Sequence, residues 1–378
     1  ISSRPELASF FQFGNGISGN PLTQLDGGVA IRQDEVGDVI YFSRVLQGPI
    51  FLTPGAQVEA ETVFSIINPS DEQIQIEARY FRTTGVNDFN PSVRVIPPRG
   101  AIRETFPELF GNTPPLMDGY VQVQLLQGSQ VTGFQLIRLP DSVFGLNAFQ
   151  PGQVNTIYSA QLANGGSPGA FSFTNLNLVN TSNQLLEVTI TAVDENGVII
   201  NVPQIVALNP NASLQRDASE FFGLGLPSSA AVRTGSIIVE ADQPGLVGDV
   251  IFGDPVNFDT AAAMQLQSQT FSEAFFSQVA NNNLIFTGLA IFNPSSSETA
   301  QVTIQVFDME GNLAGETLLE LGPENRISQV LAQLVAEAAN QVGGYIRLQS
   351  NVPIVAQELF GNNGLTFLSA VPPQADTP

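Results

Sequence analysis

The sequence predicts an all-β protein of three tandem β-sandwich domains, each with at most one short helix, behind an N-terminal extension that carries an orphan strand. One block of sequence occurs three times along the 378 residues. Within each block apolar and polar residues alternate with a period of two, as they do in half-buried strands. Turn-forming Gly, Pro and Asn residues separate these segments at short intervals, which is typical of sandwiches and barrels.

The repeat consists of blocks that keep their order along the chain. A strand pattern occurs as Ile74-Gln75-Ile76-Glu77-Ala78, Val188-Thr189-Ile190-Thr191-Ala192 and Val302-Thr303-Ile304-Gln305-Val306. A turn precedes each copy, as Asn68-Pro69-Ser70, Asn180-Thr181-Ser182 and Asn293-Pro294-Ser295. We therefore divide the chain into an extension (residues 1–33), unit 1 (34–154), unit 2 (155–267) and unit 3 (268–378).

Each unit has the pattern of an immunoglobulin-like β-sandwich. Gly-ended hairpin turns follow the repeated strand at Asp194-Glu195-Asn196-Gly197 and Asp308-Met309-Glu310-Gly311. About seven short strands in roughly 110 residues match this architecture. The chain has no Cys and no Trp, so the disulfide and core Trp of antibody domains are missing. Short helices are predicted at residues 104–110, 218–222 and 327–340, the last being the longest.

Composition excludes several classes of function. The chain carries 13 basic and 35 acidic residues, a net charge of −22, and every basic residue is Arg. Without Lys, His and Cys, the chain cannot form Cys/His zinc sites, catalytic triads or Schiff bases. Glu59 and Glu61 are a carboxylate pair, but they lie two apart on a strand and share one solvated face. We expect no enzymatic activity and no cofactor other than calcium.

Charge and hydropathy also bear on partners and location. A chain this acidic repels the phosphate backbone, so we expect no nucleic-acid partner. The longest uncharged stretch, residues 142–186, is rich in Asn, Gln, Ser and Gly, and it therefore predicts no membrane span. Polar faces made of uncharged side chains suit an extracellular or cell-surface protein, from which a signal peptide has been removed.

Three sequence marks in unit 3 point to a known kind of repeat. They are Phe276-Ser277-Gln278-Val279-Ala280-Asn281, Ile291-Phe292-Asn293-Pro294-Ser295 and Gly344-Tyr345-Ile346. These marks resemble the tandem immunoglobulin-like β-sandwich repeats of secreted bacterial surface proteins, a largely uncharacterised family. Unit 2 departs from the pattern at Thr181, where Pro is expected. The resemblance covers nearly the whole chain and implies an exported module, while its motifs leave the activity open.

The N-terminal extension contains a strand without the rest of its unit. Phe10-Phe11-Gln12-Phe13-Gly14-Asn15-Gly16 matches the opening strand of unit 2, Ser159-Ala160-Gln161-Leu162-Ala163-Asn164-Gly165. An apolar strand of this kind pairs readily with an open sheet edge. Residues 8–16 either fold back on the first sandwich of their own chain or insert into a neighbouring subunit by donor-strand addition. In the second case the subunit-interaction residues are Phe10, Phe11, Gln12 and Phe13.

Two further kinds of site are predicted on loops. Carboxylate pairs in hairpin turns are candidate calcium ligands, namely Asp194 with Glu195 and Asp308 with Glu310. The competing interpretation is a plain turn with solvated acids, because no interleaved Asp-x-Asp-x-Asp-Gly pattern is present. Two Asn-x-Ser triplets make Asn180 and Asn211 candidate glycosylation acceptors.

The function expected from these features is structural. We expect a self-associating subunit of an extracellular fibre or surface layer, joined by strand pairing and apolar packing. Because the chain has no Lys, isopeptide bonds between Lys and Asn are impossible within it, and the contacts must be noncovalent. The alternative is a monomeric adhesin or carbohydrate-binding module for a surface polysaccharide, which predicts an aromatic or calcium-lined patch at the same edge of each unit.

Overall fold

The computed structural model describes residues 10–14, 25–29, 36–87, 89–111, 117–166, 172–224, 232–254, 258 and 260–375. Within these ranges the chain is nearly all β and forms three sandwiches, as the sequence predicts. Ahead of them, β1 (Phe10–Gly14) pairs antiparallel with β2 (Leu25–Val29) as a separate hairpin. No helix among these residues is both long enough and apolar enough to cross a membrane.

Every unit contains eight strands and one short helix, counted over the described residues. The elements of unit 1 are β3 (Val39–Thr53), β4 (Ala56–Ile67), β5 (Ile74–Phe81), β6 (Ser92–Ile96), β7 (Ala101–Thr105), α1 (Phe106–Phe110), β8 (Met117–Gln127), β9 (Thr132–Arg138) and β10 (Val143–Asn147). Those of unit 2 are β11 (Thr156–Asn164), β12 (Phe173–Asn180), β13 (Leu186–Val193), β14 (Gln204–Leu208), β15 (Ser213–Asp217), α2 (Ala218–Phe221), β16 (Arg233–Ala241), β17 (Leu246–Gly253) and β18 (Ala261–Gln265).

Unit 3 follows the same order, with two strand positions joined in one long strand. Its elements are β19 (Phe271–Phe276), β20 (Ile285–Phe292), β21 (Ala300–Phe307), β22 (Leu313–Leu321), β23 (Arg326–Val330), α3 (Leu331–Leu334), β24 (Tyr345–Asn362), β25 (Leu368–Val371) and β26 (Gln374–Ala375). A 3-10 turn, Ala336–Ala338, follows α3. The short β26 pairs with β19.

The three units share one topology. We name the strand positions A to H in chain order, so that β24 supplies both F and G. One sheet has the order A-F-C-D and the other E-B-G-H, with every pairing antiparallel. The sandwich architecture is that of immunoglobulin-like domains, whereas in antibody domains strand D pairs with E and strand G with F. Each core lies between its two sheets and is built from the inward-facing half of the strand residues.

The register of the repeat differs by two residues from the sequence alignment. Strand C begins at Ile74 in unit 1, at Leu186 in unit 2 and at Ala300 in unit 3, and all three side chains are fully buried. The sequence alignment had matched Ile74 with Val188 and Val302. A two-residue shift keeps the inward and outward faces unchanged, so periodicity alone cannot detect it.

Each helix lies within its predicted interval but is shorter, and the third interval begins with strand residues. Residues 326–330 form β23 and pair with β20, so only Leu331–Leu334 is α-helical in the predicted interval 327–340. The apolar residues Ile327, Val330, Leu331 and Leu334 keep helical spacing, but pairing with β20 makes residues 326–330 a strand. At α1 the side chains of Thr105 and Glu108 cap the first turn reciprocally.

Candidate assembly interface

Neighbouring units share one kind of contact. The outer face of sheet A-F-C-D in one unit packs against the outer face of sheet E-B-G-H in the next. Strand B of unit 2 is therefore covered on both sides: Leu176 and Leu178 belong to its own core, whereas Phe173 and Val179 contact unit 1. All eight residues of β12 are buried as a consequence.

A buried ion pair crosses the first interface. Arg44 Nε in β3 donates to Asp249 Oδ1 in β17 at 2.8 Å, and both side chains are fully buried. Arg44 Nη1 also donates to Asn175 Oδ1 at 2.5 Å. Ser43 Oγ and Asn177 Nδ2 each donate to Asp249 Oδ2 at 2.7 Å. The carboxylate of Asp249 thus accepts three hydrogen bonds, two of them from unit 1.

The electrostatics of this pair follow from its burial. Burial lowers the pKa of the Arg44 guanidinium, and the adjacent carboxylate of Asp249 opposes that shift. A guanidinium starts from a pKa above 12, so Arg44 remains charged at neutral pH. Either partner without the other would leave an uncompensated charge in the interface, which is strongly destabilising.

The apolar part of the first interface is aromatic on one side. Three rings of unit 1 lie on two valines of unit 2, namely Tyr41, Phe81 and Tyr120 on Val179 and Val247. The rings of Phe81 and Tyr120 are stacked, with centroids 5.2 Å apart and planes at 12°. Tyr120 Oη donates to the main-chain oxygen of Asn211 at 3.1 Å. Burial raises the pKa of Tyr120, which keeps this hydroxyl protonated as a donor.

The second interface, between units 2 and 3, repeats the arrangement with other side chains. Its apolar residues are Tyr158, Ala160, Val193 and Ile238 of unit 2 and Ala290, Phe292 and Val355 of unit 3. Gln161 stands at the position of Arg44, and its Oε1 accepts from Arg326 Nη2 at 2.6 Å. Burial lowers the pKa of Arg326 to about 10. The carboxylate of Glu195 lies 3.9 Å from Arg326 Nη1 and is largely exposed.

Main-chain contacts at the C–D hairpin are the same in both interfaces. The amide of Ser213 donates to Thr83 O at 2.9 Å, and the amide of Arg326 donates to Glu195 O at 3.2 Å. A glycine at positive φ makes each close approach possible, because a Cβ would lie 2.8 Å from Pro210 O at Gly85 and 2.9 Å from Pro323 O at Gly197. The equivalent glycine of unit 3, Gly311, has no such neighbour within 4 Å.

The predicted interaction strand lies at the N-terminal hairpin. Phe10, Phe11, Gln12 and Phe13 belong to β1, which pairs with β2 in the same chain. This pairing occupies one edge of β1. In each sandwich the paired strands belong to one unit of the same chain. Strand addition from a second copy would therefore use the outer edges of these sheets, and it remains a prediction.

The predicted calcium ligands stabilise their own turns. Asp194 Oδ1 accepts from the amides of Asn196 and Val198 at 2.8 and 2.9 Å. Asp308 accepts from Asn312 in the same way, and these hydrogen bonds lower its pKa. Glu195 Oε1 accepts a hydrogen bond from Thr234 Oγ1 at 2.7 Å. The main-chain amide of Glu310 donates a hydrogen bond to Asp308 Oδ1 at 3.0 Å.

The carboxylates of Asp194 and Asp308 therefore have a structural role in their turns. Among the described residues no three potential metal-ligating side chains cluster. Calcium binding stays a prediction.

The two predicted glycosylation acceptors differ in their surroundings. Asn180 is fully buried, and its Nδ2 donates to three main-chain oxygens, those of Gln184, Leu208 and Asn209. A glycan on this nitrogen conflicts with that burial, so Asn180 is a structural residue in the folded chain. The same network surrounds Asn68 and Asn293, the equivalent residues of units 1 and 3.

Asn211 lies at the first interface, where its carbonyl accepts from Tyr120. Glycosylation at Asn211 remains untested.

The charged interface residues were not predicted from the sequence. Arg44 replaces a Gln found at the equivalent positions of the other units, Gln161 and Gln278. Asp249 is the sole charge in the apolar strand Leu246–Gly253. A charge inside an apolar strand is a signal that could have identified this ion pair. Its partner could not be identified, because the two residues are 205 positions apart.

No protein-family model and no curated protein matches the sequence. Solved structures with partial similarity include a protein of Thermotoga maritima, number 1070, which is 21% identical over 31% of this chain and 95% of its own, with a TM-score of 0.24. A tetra-tandem repeat in the extending region of a large adhesion protein is 12% identical, covers 98% of this chain and 81% of its own, and has a TM-score of 0.13. A structure of infectious bursal disease virus, Gt strain, is 10% identical over 97% and 80%, also with a TM-score of 0.13. At these TM-scores the similarities carry no argument about function.

Proposed function

We propose that this protein is an extracellular, non-enzymatic structural protein, a subunit of a surface fibre or layer held together by noncovalent contacts. The observation that supports this proposal is the interface that is built twice in one chain. The apolar contact between outer sheet faces and the main-chain hydrogen bonds at the C–D hairpin occur in both interfaces, and the first interface adds the buried pair of Arg44 and Asp249. Extensive apolar interfaces restrict domain motion, which suits a protein that transmits load.

The resemblance to repeats of secreted bacterial surface proteins points in the same direction. An extracellular or cell-surface location of this protein and self-association of its subunits are both parts of the proposal. Strand pairing by Phe10, Phe11, Gln12 and Phe13 with a second copy is one joint between subunits that the sequence predicts.

A carbohydrate-binding module is the less favoured alternative. It predicts an exposed aromatic patch on each unit. A stacked aromatic pair does recur, as Phe81 with Tyr120 in unit 1 and as Phe307 with Tyr345 in unit 3, where the centroids are 4.7 Å apart. In unit 1 that pair is covered by unit 2. The pair therefore recurs at a position used for contact between sandwiches, which favours assembly over sugar binding.

Electron microscopy of the purified chain at rising concentration tests the proposal. We expect regular filaments or sheets above a threshold concentration. Uniform single particles at every concentration would overturn the fibre or layer. A truncation that lacks residues 1–33 is the matched variant: loss of the assemblies identifies the N-terminal segment as the joint, and their persistence places the joint elsewhere.

A further inference from the structure

The N-terminal hairpin has the register of strands G and H. In β1 and β2, Phe13 is opposite Asp26 and Gly14 is opposite Leu25. In unit 3 the G–H hairpin pairs Phe360 with Ser369 and Gly361 with Leu368, and in unit 2 it pairs Phe252 with Ala262 and Gly253 with Ala261. The dipeptide Phe-Gly thus ends the pairing of these three hairpins, at residues 13–14, 252–253 and 360–361, whereas the pairing in unit 1 ends at Ile137-Arg138. This register differs from the sequence alignment, which matches Gln12 with strand A.

The hairpin also stands where a G–H pair belongs along the chain. In units 1 and 2 strand H is followed by a short connection and then by strand A of the next unit, through residues 148–155 and 266–270. Along the sequence, residues 30–38 separate β2 from β3, strand A of unit 1, by a similarly small number of residues. The order of elements is therefore that of the repeat.

The position of β2 in space agrees with this assignment. The H strands β10 and β18 are neighbours, as are β18 and β25, with Cα atoms within 8 Å. By the same measure β2 neighbours both β25 and β10. Four strands thus form a closed circuit, and three of them are the H strands of complete units. The N-terminal hairpin lies at the fourth position of this circuit, in the space between unit 3 and unit 1, which we call the sector.

The face of unit 3 that borders this sector is less covered by the described residues than the corresponding faces of units 1 and 2. Phe275 and Tyr345 are half-buried, whereas their equivalents in unit 1 are buried under unit 2. Ser277 Oγ is buried and has no hydrogen-bond partner among the described residues. Its equivalent in unit 1, Ser43, donates across the interface to Asp249.

The face of unit 1 on the other side of the sector is open in a corresponding way. Ser65 and Ile67 of strand B are half-buried there. Their equivalents in unit 2, Asn177 and Val179, are fully buried against unit 1. Heterologous contacts of one kind that return to their starting point form a closed ring. Both halves of the interface therefore face the same sector.

We propose that β1 and β2 are strands G and H of a fourth sandwich, and that the sector binds strands A to F of the same repeat. In each repeat A to F precede G and H, so the occupant that we propose is one more copy of strands A to F, joined to the chain ahead of the 378 residues of this sequence. Strand B of the occupant would pair with the open edge of β1, as strand B pairs with strand G in each unit. If so, β1 is used within its own subunit, and a joint between subunits lies elsewhere.

Hydrogen–deuterium exchange of an extended chain tests this proposal. Residues 155–242, which are strands A to F of unit 2, are placed before residue 4 of the chain, which is otherwise unchanged. We expect exchange of the amides of residues 10–14 to slow at least tenfold, with the product still monomeric. The matched control carries Leu176→Pro and Leu178→Pro in the added copy only, which disrupts its strand B and should abolish the protection.

Two outcomes would overturn the proposal. In the first, the amides of residues 10–14 exchange at the same rate with and without the added strands, and the added strands are digested by protease equally fast whether or not residues 1–33 are present. The other is a concentration-dependent dimer of the unextended chain in which residues 10–14 become protected, since a second copy would then occupy the sector. Both readouts are independent of filament formation, so failure here leaves the proposed function standing.

Discussion

Several polar side chains are buried away from water in the interface between units 1 and 2. Arg44, Asp249, Asn175 and Asn177 form one such cluster, and their hydrogen bonds to one another compensate for lost hydration. A charge pair of this kind contributes little as a whole, because desolvation opposes the attraction, but losing one partner is costly. The cluster therefore makes the first interface sensitive to single substitutions.

Replacing Arg44 with Met should destabilise the protein by about 3–5 kcal/mol, because Asp249 is left charged and unpaired in an apolar interface. The double variant Arg44→Met with Asp249→Leu removes both charges and should regain most of that loss. Urea unfolding followed by circular dichroism measures both. A single variant as stable as the native chain would show that the pair is not buried.

Glu358 predicts a pH dependence in unit 3. Its carboxyl is fully buried without a hydrogen-bond partner in the described part of the chain, and burial raises its pKa well above the usual value. In the unfolded chain the pKa is about 4.3. The folded state thus holds the proton to higher pH, so the free energy of unfolding falls as pH rises from about 4.3 towards the folded pKa.

The slope from this one group is at most about 1.4 kcal/mol per pH unit. The variant Glu358→Gln is neutral at every pH and should lack this contribution. Thermal unfolding between pH 5 and 8 compares the two proteins. Parallel pH profiles would mean that Glu358 is ionised or hydrated in the folded state.

Among elements, the C–D hairpins offer a matched series of glycines. Gly85, Gly197 and Gly311 all have positive φ, at +84°, +76° and +82°, but only the first two approach the next unit. Alanine at any of the three costs about 1 kcal/mol for the backbone conformation. At Gly85 and Gly197 the clash with a carbonyl oxygen should add about 1–3 kcal/mol.

Calorimetry of Gly85→Ala and Gly197→Ala against Gly311→Ala separates these two effects. Equal losses in all three variants would refute the close approach between units. The equality of φ makes Gly311→Ala the control for backbone strain.

The strands and helices also show which structural features can be predicted from the sequence. The alternation in strand C and the Gly-ended turns predicted strands and hairpins correctly. The alignment nevertheless slipped by two residues, since Ile74 and Ile76 both point inward and either one fits the core. The third helix begins later than predicted because residues 326–330 pair with β20, and the sequence does not show that pairing.

For the whole molecule, the interfaces make the units depend on one another. Unit 2 is in contact with a sandwich on either side, and excision as residues 155–267 would expose Phe173, Val179 and the carboxylate of Asp249. We expect the melting temperature of the excised unit to fall by about 10 °C or more. Differential scanning calorimetry compares the excised unit with the full chain. Equal melting temperatures would mean that the units fold independently.

The sequence by itself determined the local features of this protein: strands of period two, Gly-ended turns, three repeats, and a chemistry without Lys, His or Cys. These depend on near neighbours and on composition, which a sequence states directly. Only the tertiary structure decided that Arg44 meets Asp249, that both faces of β12 are covered and that the N-terminal hairpin has a G–H register. Such facts depend on which outer faces meet, and alternation records only that a residue points outward, never what it meets there.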